Sequence, residues 1–276
     1  MTASTHAPLA CIGGGNMARA LIAGWLRAGR DPASVRVAEP HAETARRLAA
    51  EFGVPVFAAA ADACAEADTW LFAVKPQVLR EVAQALAPRA RARPPRVVSI
   101  AAGITTAQLG GWLGGIPDVV RAMPNTPALL GAGISGLFAR ADVGSAARAE
   151  AESLLAAVGS CVWVPDEALM DAVTAVSGSG PAYVFLLAEA LQAAGEREGL
   201  DPATSRALAI ATLAGAARML QHDDTPAVEL RRRVTSPGGT TQAALEVFMA
   251  RAWPEIVAEA VHAARLRGAA LSRAQD

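Results

Sequence analysis

Apolar and polar positions over the first 165 residues follow two alternating rhythms. Short continuous apolar runs bounded by glycine, proline or polar residues predict buried strands, and apolar positions three and four apart predict helices. Pro8–Gly15 (PLACIGGG) reads as a buried strand feeding a tight turn, and 17–28 as the helix after it, with Gly29 at its C-cap. Further strands are predicted at 35–38, 54–57, 69–74, 96–100, 118–122, 133–138 and 161–164. Helices are predicted at 41–52, 60–67, 77–86, 106–113 and 146–158. Strands alternating with helices imply right-handed crossovers, hence an α/β fold with a Rossmann-type, doubly wound, mainly parallel sheet.

Near Pro165 the strand rhythm stops. Residues 167–175, 182–199, 203–221, 226–233, 241–250 and 254–272 read as helices separated by Gly and Pro. Two domains are expected: 1–165, dinucleotide-binding, and 166–276, all-α, for substrate binding and dimerisation. Rich in Ala and Leu, the helical domain exposes much apolar surface if left alone, which predicts packing against a symmetry mate.

Composition narrows the function classes. The 276 residues are 53% hydrophobic and 18% charged, enough for a large core. A formal net charge of −1 gives no electrostatic reason to expect nucleic acid or acidic membranes. No stretch reaches the roughly 20 apolar residues of a membrane span, and MTASTHAPLA lacks the basic and apolar regions of a signal peptide. Cys11, Cys64 and Cys161 are odd in number and far apart, against a disulfide framework or a cysteine zinc site. With no clustered His, Cys and carboxylates, no metal is expected. The expected setting is cytoplasmic. Lys75 is the single lysine, against 24 arginines.

Candidate chemistry gathers at strand ends and helix mouths. Gly13-Gly14-Gly15-Asn16-Met17-Ala18 fits G-x-G-x-x-A between a strand and a helix. Gly13 permits the turn, Gly15 lets backbone approach a pyrophosphate, and the helix N-terminus offers N–H groups to the anion. That motif is weak alone, but here it opens the α/β series. Glu39 ends the second strand, where such domains often keep an acid for the adenine ribose; an acid there favours NAD. Arg46 and Arg47 pull the other way, and a solvated loop acid is the alternative reading. Ala73-Val74-Lys75-Pro76 and Ala101-Ala102-Gly103 end two further strands, where open α/β sheets bind ligands. Arg121–Pro127 reads as a rigid non-helical loop, either lining a site or connecting. Ser177-Gly178-Ser179-Gly180-Pro181 suggests a helix N-terminus aimed into a cleft. Ser236-Pro237-Gly238-Gly239-Thr240-Thr241 is another, with freed N–H groups and three hydroxyls.

IGGGNM, AVKPQ, VSIAAG, RAMPNTPALLGAG, SGSGPAYVF and SPGGTT, in this order and spacing, resemble the pyrroline-5-carboxylate reductases over about residues 8–270. The resemblance implies reduction of the cyclic imine 1-pyrroline-5-carboxylate to L-proline, the last step of proline biosynthesis. It implies NADPH or NADH on Gly13, Gly15, Asn16, Met17, Ala73–Pro76 and Ala101–Gly103. NADPH is slightly preferred as the family default, and Glu39 leaves the choice open. The substrate is expected against Ser236, Gly239, Thr240 and Thr241: helix-mouth N–H groups and the Ser236 hydroxyl on its carboxylate, the catalytic Thr241 hydroxyl on its ring nitrogen. The family also implies an intertwined homodimer, with a larger ring such as a decamer as a further assembly. The resemblance places the cleft near that dimer interface.

Rival chemistries lack their residues. Hydroxyacid dehydrogenases of similar plan need a lysine in the helical domain, and none follows Lys75. Short-chain dehydrogenases need Tyr-x-x-x-Lys, but the only tyrosine, Tyr183, precedes Val-Phe-Leu-Leu. His6, His41, His222 and His262 fall away from the strand ends and read as surface residues. Two alternatives persist: a non-catalytic NAD(P)H-binding redox sensor, and a reductase of a related cyclic imine.

Overall fold

The computed structural model describes residues 7–116, 118–222 and 224–273. His6 and most of the segment in which no leader was found lie outside the described residues. Two compact units are present: residues up to Ser179 together with those from Ala264 onward, and Gly180–Ala263.

The first unit is built on an eight-stranded sheet. Its strands are β1 (Leu9–Ile12), β2 (Val35–Ala38), β3 (Val56–Phe57), β4 (Thr69–Phe72), β5 (Arg96–Ser99), β6 (Val119–Met123), β7 (Gly133–Ala139) and β8 (Gly159–Trp163). They lie in the order β3-β2-β1-β4-β5-β6-β7-β8. All neighbouring pairs are parallel except β6 and β7, where Val120 faces Ala139. Only a short 3-10 turn, Thr126–Leu130, lies between those two strands, too little chain for a crossover. The helices are α1 (Asn16–Arg27), α2 (Ala42–Phe52), α3 (Ala60–Ala63), α4 (Pro76–Ala92), α5 (Thr106–Trp112), α6 (Ser145–Ala156) and α7 (Met170–Val173). This is the α/β architecture that the alternating rhythm implies.

Alternation along β1 splits the core into two layers. Leu9 and Cys11 pack with Leu21, Ile22 and Trp25 of α1 and Leu154 and Leu155 of α6. Ala10 and Ile12 point the other way, towards Leu79, Ala83 and Leu86 of α4. Each large side chain so buried contributes about 1.5–3 kcal/mol. The Trp25 indole N–H is not stranded, since it donates to the Leu154 carbonyl at 2.8 Å.

Helix α4 runs well past the expected end at 86, despite Pro88. Leu79, Ala83, Leu86, Ala87 and Ala90 keep one buried stripe on both sides of the proline. Pro88 is on the exposed side, where water can serve the carbonyl that its missing N–H leaves unbonded.

The second unit is helical: α8 (Gly180–Arg197), α9 (Pro202–His222), α10 (Ala227–Arg233), α11 (Thr240–Ala250) and the start of α12 (Trp253–Arg273). Taken alone it exposes large apolar side chains, among them Phe185 at 61%, Leu186 at 65% and Val247 at 62%. Among the described residues no helix is long and apolar enough to cross a membrane.

Candidate active site

The glycine loop after β1 is shaped by its neighbours. The Gly13 N–H donates to the Ala38 carbonyl at 2.9 Å, and φ is 107°. A Cβ there would lie 2.8 Å from the Ala73 carbonyl oxygen. A Cβ on Gly14 would lie 2.5 Å from Leu48 Cδ1, so that buried side chain would have to shift. Gly15 differs: it caps α1 at φ −70° and nothing lies within 4 Å of its would-be Cβ. Open space at an uncapped helix N-terminus, with Asn16 exposed and Met17 half-buried beside it, fits the pyrophosphate of a dinucleotide. Cys11, beneath the loop, is no nucleophile: burial pushes its thiol up to about 12.

Glu39 is not a solvated loop acid. It is 7% exposed, and its two carboxylate oxygens accept from the Gly14 N–H at 3.0 Å and the His41 N–H at 2.9 Å.

The loops after β4 and β5 meet at the carboxyl edge of the sheet. Ala73 and Val74 are half-buried, and Lys75 is the exposed N-cap of α4, with Pro76 in its first turn. Ala101 is buried. Pro76, Ala102 and Gly103 line a cavity of about 110 Å³ together with Asp171, Thr174 and Gly268, all within the first unit.

The glycine- and serine-rich segment holds the expected helix start and a turn that was not expected. Thr174–Gly178 is a π-helical turn continuing α7, and α8 begins at Gly180, with Pro181 in its first turn. The Ser179 N–H donates to the Thr174 carbonyl at 2.8 Å, and the Ser177 hydroxyl bonds back to the Val173 carbonyl at 2.9 Å. Asn125 clamps this turn, donating to the Ser177 carbonyl at 3.1 Å while accepting from the Ile134 N–H at 3.0 Å. Arg121–Pro127 is not one irregular loop: Arg121–Met123 complete β6, and a 3-10 turn starts at Thr126.

In the helical unit, α11 begins at Thr240 with Gly239 as its N-cap and no side-chain cap. The N–H groups of Thr240 and Thr241 have no carbonyl one turn earlier to bond. Ser236 and Thr240 are exposed and Thr241 is half-buried. The mouth is held in shape by Gln242, whose side-chain oxygen accepts from the Gly238 N–H at 2.8 Å, and by a Gly239 N–H to Ser236 carbonyl bond of 3.0 Å. Such an end can bind a small carboxylate.

Residues 167–271 match the family model described as pyrroline-5-carboxylate reductase dimerisation, and residues 8–103 that of NADP oxidoreductase, coenzyme F420-dependent. A pyrroline-5-carboxylate reductase of Pseudomonas aeruginosa is 48% identical over 264 residues, 96% of each chain. The chain belongs to the pyrroline-5-carboxylate reductase family. A relative from Haemophilus influenzae is 41% identical over 98% of this chain and 97% of its own. A solved pyrroline-5-carboxylate reductase from Coxiella burnetii superposes with a TM-score of 0.91 at 38% identity, covering 95% of this chain and 97% of that one. A Plasmodium falciparum pyrroline carboxylate reductase with NADP bound gives 0.84 at 27%, covering 98% and 100%.

In this member of the family, one buried network escaped sequence reasoning. Arg121 of β6 is 6% exposed, and its guanidinium reaches Glu167 at 3.4 Å and Asp171 at 3.9 Å. Glu167 in turn accepts from the Thr106 N–H at 2.8 Å and its hydroxyl at 3.0 Å. β6, the start of α5 and the turn entering α7 are thereby tied together beside the cavity that Asp171 lines. Arg121 stands alone among apolar neighbours in its strand, which was the one available signal. Its partners, 46 and 50 residues on, carry none.

Proposed function

We propose that this chain is an NAD(P)H-dependent oxidoreductase that reduces the C=N bond of 1-pyrroline-5-carboxylate to give L-proline. The observation that carries this reading is the uncapped, Gln242-braced mouth of α11 in a chain of this family. Residues 1–165 serve the dinucleotide and 166–276 the substrate and the dimer. Gly13, Gly15, Asn16 and Met17 hold the pyrophosphate, and Ala73–Pro76 and Ala101–Gly103 the nicotinamide half. When bound, the dinucleotide supplies hydride.

The helix mouth does the rest. N–H groups at Gly239–Thr241 and the Ser236 hydroxyl hold the substrate carboxylate, each as a charge-assisted bond. The Thr241 hydroxyl bonds the ring nitrogen and fixes which carbon is presented. The imine is basic enough to take its proton from solvent, so no strong protein acid is required, and alignment is the main contribution. The exposed apolar face of the helical unit is covered by a second copy of the chain. A cytoplasmic setting accords with three unpaired cysteines.

The test is oxidation of NAD(P)H with 1-pyrroline-5-carboxylate, in the wild type and in Thr241→Ala. Loss of one hydrogen bond to the reacting group predicts a fall in kcat/KM of about tenfold or more. Wild-type kinetics in the variant remove Thr241 from the mechanism. Dinucleotide binding without substrate-dependent oxidation favours a redox sensor, and preference for the six-membered homologue in a substrate panel reassigns the imine.

A further inference from the structure

The end of β2 bears on which dinucleotide the chain takes, a question that rests on the dinucleotide reading just given. The Glu39 N–H donates to the Phe57 carbonyl at 2.9 Å, so strand pairing fixes where its side chain starts. The side chain then turns back over the strand end to the glycine loop. One oxygen accepts from the Gly14 N–H at 3.0 Å and the other from the His41 N–H at 2.9 Å. A Gly14 side chain would meet that same carboxylate, with Oε2 only 2.8 Å from the would-be Cβ. The loop and the acid are therefore built around each other, and the carboxylate cannot swing aside as an exposed loop acid does.

Each carboxylate oxygen receives one backbone N–H and keeps a second lone-pair direction for a further donor. In this fold the adenine ribose lies beside the end of the second strand. Ribose hydroxyls are donors and match such acceptors. A 2′-phosphate, which offers only acceptors and negative charge, does not.

The cation on β2 itself is already engaged. Arg36 is committed to the carbonyls of Ala63 at 2.9 Å and Asp62 at 2.8 Å, with Glu66 at 3.5 Å. Arg46 bonds the Ala42 carbonyl of its own helix at 3.3 Å. Arg47 is exposed on α2, a solvated cation whose pull on a 2′-phosphate is screened more than the push of the buried Glu39 carboxylate. We propose that Glu39, clamped between the Gly14 and His41 amides, makes this chain prefer NADH to NADPH by accepting from the adenine ribose and repelling a 2′-phosphate.

Equilibrium binding to the purified full-length chain tests this apart from turnover. Kd for NADH and for NADPH is read by fluorescence titration at one fixed ionic strength. NADH is expected to bind at least about tenfold more tightly, and Glu39→Gln to bring the two within about threefold, mainly by improving NADPH. Should Glu39→Gln disturb the loop, the wild type alone decides: adenosine 2′,5′-bisphosphate must displace NADH no better than 5′-AMP. Equal or tighter binding of NADPH, a ratio unchanged by Glu39→Gln in a folded variant, or stronger displacement by the bisphosphate overturns the proposal. Binding of neither dinucleotide overturns the underlying assignment of the glycine loop as well.

Discussion

Gly15→Ala separates what the glycine loop does for binding from what it does for folding. Gly15 sits at φ −70° and ψ −177°, a conformation alanine adopts freely, and its would-be Cβ meets nothing within 4 Å. Alanine restricts the unfolded chain, worth about 0.4–1 kcal/mol of stability, and is a poorer N-cap than glycine by a similar amount. The net change in folding stability is therefore close to zero. The new methyl group occupies the space assigned to the pyrophosphate and forces it off the first-turn N–H groups of α1. A lost hydrogen bond to a charged group is worth about 1.5–3 kcal/mol, or roughly 10- to 100-fold in Kd. Gly13→Ala is the contrast. There φ is 107° and the Cβ would sit 2.8 Å from the Ala73 carbonyl oxygen, so backbone strain and overpacking together cost about 2–6 kcal/mol. Urea unfolding and fluorescence titration with NADH and NADPH are the assays. Normal dinucleotide affinity in a stably folded Gly15→Ala variant refutes the assignment of that space to the cofactor.

Other perturbations follow from the same geometry. Arg121→Met leaves Glu167 and Asp171 without their buried cation and should destabilise the chain by about 3–5 kcal/mol in urea unfolding; a change under about 1 kcal/mol would show that the network is not structural. Gln242→Ala frees the Gly238 N–H and loosens the α11 mouth, so KM for the imine acid should rise several-fold while the unfolding midpoint hardly moves; an unchanged KM would dismiss Gln242 as a brace. Burial pushes the Cys11 and Cys64 thiols up to about 12. The unfolded chain therefore ionises these thiols first, and their contribution to stability is complete below about pH 9 and declines between about pH 9 and 12, each by up to 1.4 kcal/mol per pH unit. A Cys11→Ala, Cys64→Ala double variant should show a shallower alkaline decline in urea midpoint than the wild type, and equal slopes would contradict the burial account.

Much of the first unit was legible because its signals are local. A continuous apolar run such as Leu9–Ile12 ending in glycines has few other ways to fold, and the strand ends carrying Ala73–Pro76 and Ala101–Gly103 follow from the alternation. The features that escaped depend on contacts distant in sequence. Pro88 marks a helix end locally, yet α4 continues because its buried stripe does. Ser177–Pro181 has the composition of a helix start, and α8 does begin at Gly180, but the π turn before it and its clamp from Asn125, 52 residues earlier, carry no local signal. Glu39 was visible as an acid at a strand end, but its two amide partners were not, and those partners are what distinguish a fixed acceptor from a surface charge. At the mouth of α11 the glycines and hydroxyls could be read directly from the sequence, whereas the Gln242 brace on the Gly238 N–H needs the folded loop.

The most direct test is to supply NADH or NADPH deuterated at the transferable C4 position with 1-pyrroline-5-carboxylate and to examine the proline formed. One deuterium is expected, on the ring carbon next to nitrogen that does not bear the carboxylate. Proline formed without the label, or labelled at any other carbon, contradicts the proposed hydride transfer.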